Sequence, residues 1–330
     1  MNIFYRKLSN FKLGLLGLIA SLSVVACNNK DHGTTPTVAQ TIMGYQALSQ
    51  FELLTIKNNY VVTLSNRNTA SGSNGDFTVF VPTNEAFAKI GIKQAGDVNL
   101  LQPAFIQQLF LYHINNGNVS KDLLIGGAEV SSLLSQNLKK RIIVKNDSLY
   151  INGSKIISAN IKADNGTVHV VNRVMMAINA NLYGAIKEFA SAKVFVKPEL
   201  QIFTEALAYT GLDAELADAK NNFTIFAPTD LAFENLGRQL GISVGKPADI
   251  HKIDKNTLTQ ILRSNFLGQP ALTSVLKTGG VTANSSTPLS LTDLGNGYFT
   301  IKSNQATANM LISDIQTLNG IIHITDAVLR

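Results

Sequence analysis

The segment Phe77-Thr-Val-Phe-Val-Pro-Thr-Asn-Glu-Ala-Phe87 recurs 146 positions later as Phe223-Thr-Ile-Phe-Ala-Pro-Thr-Asp-Leu-Ala-Phe233. Seven of the eleven residues are identical. A second pair follows in the same order, 154 positions apart: Asn165-Gly-Thr-Val-His-Val-Val-Asn-Arg-Val174 and Asn319-Gly-Ile-Ile-His-Ile-Thr-Asp-Ala-Val328. Such a repeat constrains the fold more than composition does, because both copies must satisfy one architecture. The period is far above the roughly 20–50 residues of a solenoid, so the chain reads as two tandem domains. Its 330 residues agree with that number at roughly 150 residues each. The offset grows between the two signatures, so the second copy carries small insertions, with residues 241–249 one candidate.

Residues 77–81 and 223–227 are short runs of β-branched and aromatic side chains, hence strands. Each stops at a proline, Pro82 or Pro228, which cannot donate to a ladder. Thr83 or Thr229 then precedes a helical stretch, and its hydroxyl can accept an orphan backbone N–H as an N-cap. Phe87 and Phe233 are placed to pack the new helix on the strand. Residues 105–114 carry apolar side chains at helical spacing, and a helix is also expected over 199–217. Arg141-Ile-Ile-Val-Lys and Ser148-Leu-Tyr-Ile-Asn-Gly, joined through Asn146-Asp147, read as a hairpin. Residues 154–162 and 167–171 are further strands. Helices first and strands later indicate an α+β fold rather than a doubly wound sheet.

Three motifs in order resemble the fasciclin domain: the strand and Pro-Thr segment at 77–87 and 223–233, the Tyr112-His113 pair of the first copy, and the closing Asn-Gly-x-x-His strand of both copies. The resemblance covers residues 41–180 and 181–330. It implies two tandem fasciclin-like domains, each a β-sandwich-like wedge with helices packed around it. It also implies a secreted or surface-anchored protein of adhesion and matrix or glycan contact, and not an enzyme. The family's Tyr-His region is implicated in adhesion, which makes Tyr112 and His113 the candidate interaction or structural motif. In the second copy Ser264 and Asn265 stand at those positions, and the chain has no Arg-Gly-Asp tripeptide.

Ahead of the repeats lie Arg6, Lys7 and Lys12, an apolar run over residues 13–26, and Cys27, the single cysteine. The run is shorter than the roughly 20 residues of a membrane-spanning helix and reads as a signal peptide. A cysteine directly after a small residue resembles the bacterial lipobox, in which it is acylated and becomes the mature N-terminus. That implies a cleaved segment 1–26, a lipid on Cys27 and a membrane as partner. An ordinary signal peptide or an uncleaved anchor is the alternative. Several acyl chains hold a protein on a bilayer stably, at about 0.8 kcal/mol per buried methylene. Residues 27–40, polar and with Gly33 and Pro36, are expected to be a flexible tether. The expected location is outside the cytoplasm on a bacterial membrane, the outer membrane in the first instance, with the face left open.

The net charge of +6 points toward an acidic partner until the charges are placed. Three of the cations fall in the signal segment, which leaves residues 27–330 with 25 Lys+Arg against 22 Asp+Glu. With no tryptophan and no basic-aromatic interleaving, nucleic acid is not an expected partner. Lys139-Lys140-Arg141 reads as a solvated strand edge that resists aggregation.

His169 and His323 sit in apolar strands, and no carboxylate or second histidine lies at a ligand spacing. They read as structural, tied to backbone groups. Asn165 and Asn319 read as turn formers with the glycines after them. His32 lies alone in the tether. Thr83 and Thr229 lack a neighbouring base, and Gly241-Ile-Ser-Val-Gly-Lys246 departs from the phosphate-loop spacing. No catalytic residue, metal or cofactor is expected. The expected partner, besides the membrane, is a protein or glycan of unknown identity. A glycan-binding accessory lipoprotein is the alternative function, weakened by the scarcity of aromatic platforms.

Overall fold

The computed structural model describes residues 35–191, 199–295 and 297–330. The signal segment, Cys27 and His32 lie outside the described residues. Ordered structure begins earlier than the expected tether end. Thr37 caps a helix, Val38–Met43, whose Val38 and Ala39 are buried. The apolar side chains at 38, 39 and 42 give this turn a core to pack on, which outweighs the polar composition around it.

Seven strands form the first sheet: β1 (Phe77–Pro82), β2 (Ile114–Asn116), β3 (Glu129–Val130), β4 (Lys140–Lys145), β5 (Ser148–Ile151), β6 (Ser154–Ala163) and β7 (Gly166–Val171). A short strand, β8 (Met176–Ala177), follows. The second copy holds β9 (Phe223–Pro228), β10 (Phe266–Leu267), β11 (Gly279–Thr282), β12 (Pro288–Gly295), β13 (Tyr298–Lys302), β14 (Thr307–Thr317) and β15 (Gly320–Thr325). The strand orders correspond one to one: β2-β1-β7-β6-β5-β4-β3 and β10-β9-β15-β14-β13-β12-β11. In each copy the two signature strands pair in parallel, β1 on β7 and β9 on β15. The other pairings along the two paths are antiparallel.

The wedge expected from the resemblance is made by one sheet curling over on itself. Just past β3, the Leu133 N–H donates to Ile114 O of β2 at 2.8 Å, so the two edges of the sheet meet. Asn284 N donates to Phe266 O at 2.9 Å at the matching place in the second copy. Curling needs local bends, and β6 and β14 supply them as bulges at equivalent positions, 156–161 and 310–315. The hairpin between β4 and β5 turns through Asn146 and Asp147 with φ of 49° and 55°, the positive pair its sequence predicts.

The inner faces of the sheets enclose two apolar clusters, around Phe80, Ile142 and Val171 in the first copy and around Phe226, Leu291 and Phe299 in the second. The helices pack on the opposite side of β1, β7, β9 and β15, which are buried at every position. A strand covered on both faces reads as a continuous apolar run, as these do. The expected helix over 199–217 is two helices, Gln201–Thr210 and Leu212–Ala217, broken at Gly211 with φ 81°. Among the described residues no helix is long and apolar enough to cross a membrane.

Candidate functional site

The Pro-Thr turns are helix caps joined to the closing strand. Thr83 N donates to Val171 O at 3.2 Å, and its Oγ1 accepts from Ala86 N at 3.2 Å. Thr229 repeats both bonds, to Thr325 O at 3.0 Å and from Ala232 N at 3.2 Å. Pro82 and Pro228 end the parallel pairings opposite Val171 and Thr325. The next residue reaches the opening helices: Asn84 Oδ1 accepts from Gln50 N at 3.0 Å, and Asp230 Oδ1 from Ile202 N at 2.7 Å. Burial raises the Asp230 carboxyl above the usual range.

The Asn-Gly pairs do more than turn the chain. Asn165 Nδ2 donates to Leu64 O and Asn66 O, while its Oδ1 accepts from Val38 N at 2.8 Å. Asn319 makes the same three bonds, to Leu216 O, to Asp218 O and from Leu182 N at 2.7 Å. Each amide therefore clamps two helical segments of its own copy with all but one of its hydrogen-bonding sites used. The glycine beside it is required by contact. A Cβ on Gly166 would overlap Phe77 O, and one on Gly320 would overlap Phe223 O.

His169 and His323 occupy identical settings. His169 Nδ1 accepts from Asn160 N at 3.3 Å, and its Nε2 donates to Val119 O at 2.8 Å. His323 Nδ1 accepts from Asp314 N at 3.1 Å, and its Nε2 donates to Ala271 O at 3.0 Å. Phe80 stacks on His169 at 5.0 Å and Phe226 on His323 at 5.8 Å. Burial lowers both pKa values, so both rings are held neutral. Each ring therefore ties a strand bulge to a loop.

Tyr112 and His113 are fully buried. His113 Nδ1 donates to Leu109 O at 2.7 Å, and Nε2 accepts from Met175 N at 3.1 Å. Burial pushes its pKa down to about 3. The Tyr112 hydroxyl accepts from Asn152 Nδ2 at 2.8 Å and bonds Gln316 of the second copy. Its pKa is raised by burial. In the second copy Asn265 does the work of His113: Nδ2 donates to Leu329 O at 3.1 Å and Oδ1 accepts from Leu329 N at 2.9 Å. Ser264 Oγ, at the tyrosine position, bonds Ser285 and Thr287 within its own copy. The tyrosine is thus one of the links between the copies.

Several further residues of that junction were not singled out in the sequence. β8, at the end of the first copy, pairs in parallel with β14 of the second. Arg173 Nη1 lies 2.8 Å from Asp314 Oδ2, with both side chains buried. Asp314 Oδ1 also accepts from Thr273 N at 2.7 Å, Arg173 bonds Ser313, and the guanidinium lies 5.3 Å from the Tyr298 ring centroid. A buried ion pair is favourable only when such additional partners satisfy it. One signal was present in the sequence. Arg173 stands in Asn-Arg-Val where the other copy has Asp-Ala-Val, so the arginine position is cationic in one copy only.

Lys140 corrects the reading of 139–141 as a solvated edge. Lys139 and Arg141 are exposed and pair with Glu129 at 3.4 Å each. Lys140 between them is fully buried, because alternation along β4 turns it inward with Ile142. Its Nζ donates to Tyr112 O at 2.7 Å and Asn115 Oδ1 at 2.6 Å, and sits 5.3 Å from the ring centroids of Phe80 and Tyr112. Burial pulls its pKa well below the lysine range. The second copy puts Leu289 and Leu267 at the positions of Lys140 and Asn115.

Each copy's signature residues thus come together on its own pair of parallel strands, as internal clamps. Among the described residues no group of three or more His, Cys, Asp or Glu is placed to hold a metal ion. Two stretches, 46–177 and 198–330, match the Fasciclin domain family. Transforming growth factor-beta-induced protein ig-h3 of Sus scrofa is 23% identical over 256 residues, 77% of this chain and 35% of that protein. Periostin of Homo sapiens is 33% identical over 171 residues, 50% of this chain and 18% of that protein. Fasciclin-like arabinogalactan protein elcF of Phaeosphaeria nodorum is 23% identical over 314 residues, 90% of this chain and 86% of that protein. The chain thus covers only 35% of the length of ig-h3 and far less of periostin. The solved FAS1 domain pair from the insect cell adhesion molecule fasciclin I aligns over 86% of the chain and 97% of its own, with a TM-score of 0.38 and 17% identity. With most of its length in two matched stretches that carry the same strand order, the chain belongs to the fasciclin-domain family, as a tandem pair.

Proposed function

We propose that the chain is a non-catalytic, lipid-anchored protein outside the cytoplasm that acts by adhesion or by contact with matrix or partner proteins. The non-catalytic reading is carried by one observation. His113, His169 and His323 each have both ring nitrogens engaged by backbone groups, so none is free to move a proton or bind a metal. Membership of the fasciclin family supports the adhesive reading. The anchor rests on Cys27, the one cysteine, placed where a lipobox needs it. Palmitate labelling of the wild-type chain and of Cys27→Ala tests the anchor. Label and membrane association are expected to vanish in the variant, and label that survives unchanged contradicts the anchor.

A glycan ligand is the second reading, and one surface feature favours it. Tyr209 and His251 stack at 4.2 Å, and His251 Nε2 meets Glu205 Oε1 at 2.8 Å, all partly exposed on the second copy. An aromatic face beside a carboxylate suits a sugar ring and its hydroxyls. Binding on a glycan array that is lost in Tyr209→Ala would favour this reading over protein contact.

A further inference from the structure

Lys140 and Asn115 stand 25 positions apart, on β4 and β2, and meet inside the first copy's sheet. Lys140 Nζ is 2.6 Å from Asn115 Oδ1 and 2.7 Å from Tyr112 O. Asn115 Nδ2, on the same carboxamide, is buried with no hydrogen-bond partner. An unmet buried donor is costly in a core that otherwise satisfies its polar groups. A carbonyl bond is short, so Asn115 Cγ lies within about 3.8 Å of Nζ, close to the roughly 3–3.5 Å of a near-attack pair. Phe80 and Tyr112 wall the pair, with ring centroids 5.3 Å from Nζ, and among the described residues no carboxylate is bonded to either side chain. Burial favours the neutral amine, the form a nucleophile needs. A neutral amine, an amide carbon in reach and an amide nitrogen that nothing holds make a condensation site.

We propose that Lys140 and Asn115 condense into an internal amide crosslink between β4 and β2, with release of ammonia. The Nζ lone pair attacks Cγ, the Nζ–Cγ bond forms and the Cγ–Nδ2 bond breaks. One amine proton passes to Nδ2, which leaves as ammonia. A primary amine and a carboxamide thus become a secondary amide and ammonia, with no co-reactant. Tyr112 O, accepting from Nζ, positions the amine. Fixed placement substitutes for a catalyst, since well-oriented intramolecular pairs reach effective molarities of about 10⁵ M or more. With no carboxylate to carry the proton the step is slow. The freshly folded chain therefore holds the free pair, and the bond accrues with age. The link would staple the seam of the curled sheet, where Leu133 N already meets Ile114 O, and would restrict the unfolded chain. The second copy, with Leu267 and Leu289 at these positions, has no such pair.

The test follows the full chain, purified in detergent, over several days at neutral pH by tryptic digestion and mass spectrometry. A branched peptide joining Asn115 to Lys140, lighter than its two parts by one ammonia, is expected. Its share should rise at least about tenfold from fresh to aged protein. Fragment ions that place the bond at these two residues separate it from ammonia loss at the Asn-Gly turns. Chain aged in urea should give none, because the pair is then not held together. The urea midpoint of the wild type should rise with the crosslinked share, and that of Lys140→Leu with Asn115→Leu should stay fixed on ageing. No branched peptide from the aged folded chain, or an equal yield from chain aged in urea, overturns the proposal. A midpoint that rises with age equally in the double variant overturns the link's role as a staple.

Discussion

Asn160 in the first copy and Asp314 in the second occupy the same bulge, with φ of 59° and 63°, and each gives its backbone N–H to the histidine of its own copy. Their side chains have different fates. Asn160 Oδ1 accepts from Lys121 N at 2.6 Å and stays within its copy, as a local loop brace. Asp314 keeps the equivalent bond, from Thr273 N, and adds Arg173 from the other copy. A similar divergence separates Tyr112, which reaches Gln316 across the junction, from Ser264, which bonds within its own copy. The clamps that hold one copy together are kept in both, whereas Arg173, Asp314 and Tyr112 differ between the copies and face the junction. The repeat therefore teaches which residues make the fold and which make the pair.

The largest effect is expected from the junction. Arg173→Ala leaves Asp314 buried without its cation and should cost about 3–5 kcal/mol in denaturant unfolding. Adding Asp314→Asn, which restores the residue type of the first copy's bulge, should return much of that loss. If the single substitution costs under about 1 kcal/mol, the ion pair does not hold the copies together.

The shared clamps should respond alike. Asn165→Ala and Asn319→Ala each remove three hydrogen bonds and strand buried backbone groups, for about 2–3 kcal/mol each by the same measurement. A large loss in one copy and none in the other would break the equivalence.

Acid should act through the histidines. The folded pKa of His113 is near 3 against 6.5 for a free ring, so the unfolded chain binds the proton first. Its contribution is fully present above about pH 6.5 and is lost as the pH falls toward 3. Between pH 7 and pH 5 this residue alone should cost about 2 kcal/mol. His113→Asn, which copies Asn265, should flatten that part of the pH dependence of the urea midpoint, leaving the share from His169 and His323.

The smallest effect concerns the buried lysine. Its lowered pKa means that the unfolded chain holds the proton more readily, so Lys140 costs stability at every pH below the ordinary lysine value. Lys140→Leu with Asn115→Leu, the pair found in the second copy, should leave stability unchanged or raise it by about 1 kcal/mol. A loss above about 2 kcal/mol would show that the polar pair supports the junction through Tyr112.

Much of each copy was legible in the sequence because its determinants are local. Pro82, Thr83 and Phe87 predict a strand stop, a cap and a packed helix, and Asn146-Asp147 predicts the hairpin. Other roles needed the tertiary structure. Thr78 and Thr224 read only as β-branched strand residues, yet each bridges a neighbouring loop, Thr78 to Gly117 O and Val119 N, and Thr224 to Gln269 O and Ala271 N. Gly166 read as a turn former, whereas Phe77 O fills the place of its side chain. Lys140 was misread from its neighbours, although alternation with Ile142 already turned it inward. The partners Arg173 and Asp314 are 141 residues apart, and no local pattern joins them.

Scanning calorimetry of the full chain tests most directly whether the two copies are one folded unit. A single transition is predicted, with calorimetric and van't Hoff enthalpies equal and covering both copies. Two separable transitions in the wild-type chain, unchanged by Arg173→Ala, would contradict it.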